Sequence, residues 1–238
     1  MQAIRDITYD GVKLSTYGAY CISGTTAGTP TRDITETTIP GRHGSLITDN
    51  KRFNNRSFTL TFGIKSESGI YAKVDSFAAY MAAHGSGYSV LVDPQMAGTY
   101  LLARVSDTIT PTVYRGRTTG AAAIISVPMV AKPQRYYDTG KVSSTLSAGT
   151  LNNPTLFPAY PILSITGTGT LTIGSQTLTV SSNPGTITLN CETMDAYSGS
   201  TNCNSSISYT GQLVVQPGNN TVTVSGLTVT ITPRWYTL

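Results

Sequence analysis

Residues 35–62 read TETTIPGRHGSLITDNKRFNNRSFTLTF, and how this stretch folds decides the architecture of the first half of the chain. Two Thr-rich apolar runs flank a Pro-Gly-Arg-His-Gly turn, in which Gly41 and Gly44 allow a tight reversal. The pattern predicts a hairpin-like segment. No helix follows the glycines to aim its amide dipole at a phosphate, and no acid or histidine partner converges on the turn, so it does not read as a ligand cradle. Arg42, Lys51, Arg52 and Arg56 gather along the segment, but four cations in an almost neutral chain fall short of a nucleic-acid-binding stripe. What remains is a basic arm that meets another protein.

Around this arm the first half reads as mixed. Strands are predicted at Ile4–Thr8, Ile34–Ile39, Phe58–Ile64, Tyr88–Val92, Tyr100–Val105 and Ala123–Val130, with a turn at Asp10-Gly11. One helix is predicted from about Gly69 to Ala83. Its residues Ile70, Val74, Phe77, Ala78 and Met81 share one face, a stripe suited to packing on a sheet. Ser66 or Ser68 is the expected N-cap, and His84 followed by Gly85 the expected end, with His84 as a cation at the negative pole of the dipole.

The second half alternates Thr with Leu, Ile or Val in TLTIGSQTLTV, TITLN and TVTVSGLTVTIT, so one face of each strand is apolar and the other hydroxylated. Turns are expected at Gly167–Gly169, Gly174-Ser175, Asn183-Pro184-Gly185, Pro217–Asn220 and Ser225-Gly226. This spacing predicts a compact antiparallel sandwich.

The chain has 238 residues, of which 12% are charged, about half the globular norm. Its excess of four positive charges lies entirely in residues 1–140, which carry 14 Lys/Arg and 10 Asp/Glu; residues 141–238 carry two of each. That composition shift predicts domains at 1–140 and 141–238, with a strand-like run ending at Lys132-Pro133 and an aperiodic linker reaching Asn153-Pro154. The N-terminus has no apolar signal core, and no apolar run approaches the ~18–20 residues that span a bilayer, so synthesis and folding in the cytoplasm without membrane insertion are expected. Cys191 and Cys203 are spaced to meet across a hairpin, but an odd count of three with Cys21 and no CxxC pair favours reduced, partly buried thiols.

Catalytic readings fail in turn. Gly167-Thr-Gly169 lies within strand alternation rather than before a helix. Glu192 and Asp195, three residues apart in one loop, are a solvated turn rather than two carboxyls converging on a sugar. His43 and His84 have no Cys or Ser nucleophile nearby, and two distant histidines build no metal site. The expectation is a protein without enzymatic activity, cofactor or metal. For sugar binding, Phe157, Tyr160, Trp235 and Tyr236 are assigned to packing at the sandwich ends. Tyr197 in the charged loop Glu192–Ser200 is the one candidate platform.

The order of these features resembles the distal tail protein (Dit) family of long-tailed, non-contractile bacteriophages. The resemblance rests on IPGRHGSL followed by RSFTLTFGIK, on AKVDSFAAYMAAHGSGYSVLVDP, on IISVPMVAKPQRYY, and on the layout from NNPTLFPAYPILSITGTGTLTI to ITPRWY; together these cover nearly the whole chain. It implies a mainly β protein, with an N-terminal β-sandwich-like belt domain bearing one α-helix and an extended hairpin, and a C-terminal galectin-like antiparallel β-sandwich. It further implies a virion protein assembled in the host cytoplasm. Such a protein forms a homo-hexameric ring at the tail tip that joins the tail tube protein to the tail-associated or fibre hub proteins. The C-terminus of a tape-measure protein is a further candidate partner, and DNA only passes through the lumen. With 98 residues after position 140, no extra arm or carbohydrate module is expected. Under this reading Gly41, Arg42, His43, Gly44, Lys51, Arg52 and Arg56 face a neighbouring subunit or an adjoining ring, with Asp33, Glu36 and Asp49 among the partners. The alternative is a virion carbohydrate-binding sandwich that contacts host glycans through Glu192, Asp195 and Tyr197.

Overall fold

Alternating apolar residues organise the first half around a single curled sheet. The computed structural model describes residues 4–84, 86–115, 120–183 and 185–238; Gly85 and Pro184, read above as a helix end and a turn, lie outside them. Contacts divide the chain into two compact units, the first running to Arg135 and the second spanning Tyr136–Thr237. The first holds β1 (Thr8–Tyr9), β2 (Val12–Lys13), β3 (Ala19–Ser23), β4 (Arg32–Thr38), β5 (Ser45–Phe53), β6 (Arg56–Ser66), α1 (Ile70–Ala83), β7 (Ser89–Val92), β8 (Thr99–Val105), β9 (Thr110–Arg115) and most of β10 (Ala121–Tyr137).

Its sheet runs β2-β1-β7-β8-β10-β6-β3, with β9 paired to β10. The N-terminal segment closes this sheet. Arg5 exchanges backbone hydrogen bonds with Cys21 of β3, at 3.0 and 2.9 Å, while Thr8 and Tyr9 pair with Val92 and Leu91 of β7. Leu60, Phe62 and Ile64 of β6 and Ala123, Ile125, Val127 and Met129 of β10 alternate into the core. The stripe Ile70, Val74, Phe77 and Met81 seats α1 on that core, with Phe77 5.2 Å from Phe62 between ring centroids. Neither Ser66 nor Ser68 caps the helix: Gly69 occupies the N-cap in a left-handed conformation, and the Ser66 hydroxyl donates to the Ser68 carbonyl. His84 does end it, its Nδ1 donating to the Tyr80 carbonyl at 2.8 Å and its Nε2 facing Asp10 at 3.1 Å.

The second unit holds β11 (Ser144–Leu146), β12 (Gly149–Asn153), β13 (Ile162–Ile173), β14 (Gln176–Val180), β15 (Thr186–Asn190), β16 (Asp195–Ser198), β17 (Thr201–Asn202), β18 (Ile207–Tyr209), β19 (Gly218–Thr232) and β20 (Tyr236–Thr237). Here two expected turns are overturned. Gly167–Gly169 lies inside β13, and Ser225-Gly226 lies inside β19; the two long strands pair throughout, with one register shift where these glycines face each other. Before the shift β13 pairs with β15, and after it with β14. The glycines mark a corner, at which the outer partner of β13 changes from β15 to β14 and that of β19 from β11 to β12. Both halves of each strand feed one core through Leu163, Ile165, Leu171, Ile173, Val222, Val229 and Ile231. At this corner a Cβ on Gly169 would sit 2.0 Å from the Ser225 carbonyl oxygen, which explains the residue.

Gly174-Ser175 is the turn expected between β13 and β14. Pro217–Asn220 instead opens β19, where the Asn220 amide donates to the Gln216 and Gly218 carbonyls at 2.7 and 3.0 Å. Lys132-Pro133 does not end β10, which continues to Tyr137. The β6 ladder stops at Ala131 opposite Arg56, so Pro133 has no hydrogen bond to lose on that side. Cys21, Cys191 and Cys203 are all free and fully buried rather than partly so.

Candidate functional site

Within the opening stretch the chain folds as an isolated two-stranded ribbon up to Phe53, and from Arg56 it enters β6 of the larger sheet. β4 and β5 pair antiparallel from Thr38↔Ser45 to Ile34↔Asp49 and belong to neither larger sheet. At the tip the Arg42 N–H reaches the Ile39 carbonyl at 3.2 Å, and Gly41 and Gly44 take φ of 78° and 80°, the left-handed values the reversal requires. Arg42 and His43 are exposed at the tip. Toward the root β5 bulges: Lys51 is left-handed at φ 57°, and its N–H donates to the Asp49 carboxylate at 2.8 Å.

Cross-strand partners share a face. One face carries Glu36 beside Ile47 and Ile34 beside Asp49; the other carries Thr37 beside Leu46 and Thr35 beside Thr48. Both lie open, with Ile34, Leu46 and Ile47 exposed by 42, 47 and 61%.

The arm's charges are largely satisfied within it. Arg32 donates to Asp49 through two nitrogens at 3.0 and 2.6 Å. Arg52 pairs with Asp33, which also accepts from Asn50 at 3.1 Å. These bonds hold both carboxyls below the usual range, Asp33 chiefly through Arg52 and Asp49 chiefly through Arg32. Glu36 accepts from Ser45 at 3.2 Å, while Arg42 and Lys51 make no ion pair among the described residues. Asp33 and Asp49 therefore already have cationic partners in their own chain. Arg56 is a clear correction. It is 6% exposed and donates to Pro133 and Gly28 carbonyls, so it does not stand on the arm's surface to meet a neighbour. Burial, and then the nearby charge of Arg135, push its guanidinium down to about 10.

In the second unit Glu192, Asp195 and Tyr197 do not form one loop. Asp195 and Tyr197 lie on β16, opposite Asn190 and Thr188. Glu192 turns to Arg234 at 2.7 Å, and the Arg234 guanidinium also lies 5.5 Å over the Tyr136 ring. Tyr197 is 43% exposed, while Trp235 is in the core and Phe157 stacks on Tyr236 at 5.7 Å. Among the described residues no group of three His, Cys, Asp or Glu is placed to hold a metal, and no helix is long and apolar enough to cross a membrane.

No family model matches the sequence, and no curated protein matches it. Solved structures do. The crystal structure of SPP1 Dit (gp 19.1), described as a paradigm of the hub adsorption apparatus in phages infecting Gram-positive bacteria, aligns with a TM-score of 0.69 at 12% identity. The alignment covers 97% of this chain and 98% of that one. The chain has the Dit fold.

A chain of the phage P2 baseplate in its activated conformation with Ca is similar with a TM-score of 0.53 at 8% identity, again over 97% of this chain and 98% of the other. The same baseplate with Sr gives 0.51 at 9% identity, over 96 and 97%. Within this Dit-like fold, sequence reasoning placed the arm and its turn but missed Arg32, Arg5 and Arg135. Arg32 lies just before the quoted stretch, and its spacing to Asp49 is set by the bulge rather than by simple alternation. The burial of Arg5 and Arg135 depends on carbonyls 19 and 109 residues away, which no local pattern signals.

Proposed function

We propose that this chain is a structural virion protein of a long-tailed, non-contractile phage. Copies of it close into a hexameric ring at the distal end of the tail, linking the tail tube to the hub and fibre proteins and leaving a channel for DNA. In this reading the first unit builds the belt, and the β4–β5 arm, with Gly41, Arg42, His43, Gly44, Lys51 and Arg52, meets the neighbouring copy. The second unit is the outer galectin-like sandwich.

The observation that carries the reading is the arm itself. A lone two-stranded hairpin is marginal in water, and this one exposes three large aliphatic residues on its two open faces. Its free edges and its Thr-rich face, Thr35, Thr37 and Thr48 beside Leu46, suit a closed ring of heterologous contacts, which removes such edges. The similarity to baseplate and hub structures supports the same placement.

The test replaces Ile34, Leu46 and Ile47 together by Thr, a β-branched residue that suits a strand at all three positions. Fully burying such a side chain is worth about 1.5–3 kcal/mol, so the fractions left exposed correspond to about 2–4 kcal/mol per arm. The subunit dissociation constant should rise roughly 30- to 800-fold. Sedimentation velocity over a concentration series reads this, with circular dichroism confirming an unchanged fold. A triple variant that assembles as tightly as wild type would show that the arm is not the contact.

A further inference from the structure

We infer that Arg5, Arg56 and Arg135 form a buried clamp that fixes the direction of the β4–β5 arm before it meets its partner, acting as positioning residues for assembly. This rests on the reading of the arm as the assembling element.

The incoming leg of the arm, residues 24–31, belongs to no strand. Its carbonyls at Gly24, Thr26 and Gly28 are each taken by a different arginine. Arg5 reaches Gly24 at 2.6 Å, Arg135 reaches Thr26, and Arg56 reaches Gly28 at 2.5 Å. The arginines come from three parts of the unit: the N-terminal segment, the end of β10 and the first residue of β6. They are 6, 4 and 6% exposed in that order.

The clamp is anchored on its far side as well. Asp93 accepts from Arg5 and from the Thr26 hydroxyl, the latter at 2.9 Å. Arg5 also donates to Gln95 at 2.8 Å and to the Cys21 sulfur at 3.1 Å. Arg56 is the first residue of β6, just past the arm, and donates twice to the Pro133 carbonyl at 2.9 and 2.7 Å while holding Gly28. One side chain thus ties the outgoing leg, the incoming leg and β10 together. The Asn54 N–H closes the mouth of the arm on the Thr31 carbonyl at 2.9 Å. Gly24 lies so close to β6 that a Cβ would stand 2.2 Å from the Thr59 carbonyl oxygen.

Aliphatic side chains of similar volume would leave these buried carbonyls without donors. They also lack the planar fork, which sets the orientation of every group it bonds. Preorganisation of this kind reduces the ordering cost of association.

The test measures arm direction separately from stability. The three native cysteines are fully buried, so spin labels can be placed at His43→Cys on the arm tip and Lys73→Cys on α1. Distances are read by pulsed electron resonance in the Ile34/Leu46/Ile47→Thr background, to keep the chain monomeric. The parent should give a narrow distribution. Arg56→Met should broaden it about two-fold or more, because local opening at the root needs few other contacts to break. In the otherwise wild-type chain the same substitution should raise the subunit dissociation constant about ten-fold, as expected if the competent arm orientation falls to one tenth. Thr26→Val, which removes only the hydroxyl bond to Asp93, should broaden the distribution to a smaller extent, and it decides the question if Arg56→Met does not fold. Unchanged widths, even with a lower melting temperature, would overturn the clamp. A wild-type chain that never assembles would instead overturn the ring reading, because the monomer distances test the clamp alone.

Discussion

Replacing Gly169 by Ala should destabilise the second unit far more than a typical glycine substitution. At this position an added Cβ would lie 2.0 Å from the Ser225 oxygen and 3.0 Å from Gly226 Cα, and real Cβ atoms do not approach below 3.0 Å. β13 and β19 must therefore part by about 1 Å, which the steep distance dependence of a hydrogen bond does not tolerate. The flanking pairs Gly167↔Leu227 and Thr170↔Ser225 then lose about two ladder bonds, each worth about 1 kcal/mol net. The φ of 148° adds about 1–3 kcal/mol for a residue with a side chain. The total is about 3–5 kcal/mol. Gly174→Ala is the control: its φ of 60° is left-handed too, but its nearest neighbour is Asn220 Oδ1 at 3.9 Å, so it should cost only about 1–2 kcal/mol. Urea unfolding followed by Trp235 fluorescence reads the right unit, because this single tryptophan lies in the second core. A Gly169→Ala protein within about 1 kcal/mol of wild type, or a Gly174→Ala protein equally damaged, would refute the corner.

Two further outcomes follow from the cores. Phe77→Ala empties the contact with Phe62 in the first unit and should cost about 3–5 kcal/mol by calorimetry, whereas a loss below about 1.5 kcal/mol would mean that α1 is not seated there. In the second unit, burial pushes the Cys191 thiol from 9.0 up to about 12. An unfolded chain ionises this thiol first, so its contribution is complete below pH 9 and is lost as pH rises toward about 12, at about 1.4 kcal/mol per pH unit. Cys191→Ala should flatten that alkaline slope in urea titrations, and an unchanged slope would place the effect elsewhere.

The sequence made legible whatever depends on local period. Thr/aliphatic alternation gave the strands of the second unit, the Ile70–Met81 stripe gave α1, and Gly41 with Gly44 gave the reversal of the arm. Gly167–Gly169 and Ser225-Gly226 misled because a glycine that turns a chain and one that lets two strands touch look alike until the facing strand is known. Arg56 misled for a related reason. It lies four residues after Arg52 in one basic cluster, yet β5 ends at Phe53 and Arg56 begins a core strand. Its three carbonyl bonds come from the distant Gly28 and Pro133, so nothing in its neighbourhood announced burial. Glu192 likewise reads as a loop acid until the C-terminal return of the chain brings Arg234 to it.

The mass of the purified full-length particle tests the central claim most directly. Native mass spectrometry, with electron micrographs of the same sample, should find an assembly of about 150 kDa, six times the 25.2 kDa chain, with six-fold class averages around an open centre. A monomer at every accessible concentration would contradict the ring and, with it, the role assigned to the arm.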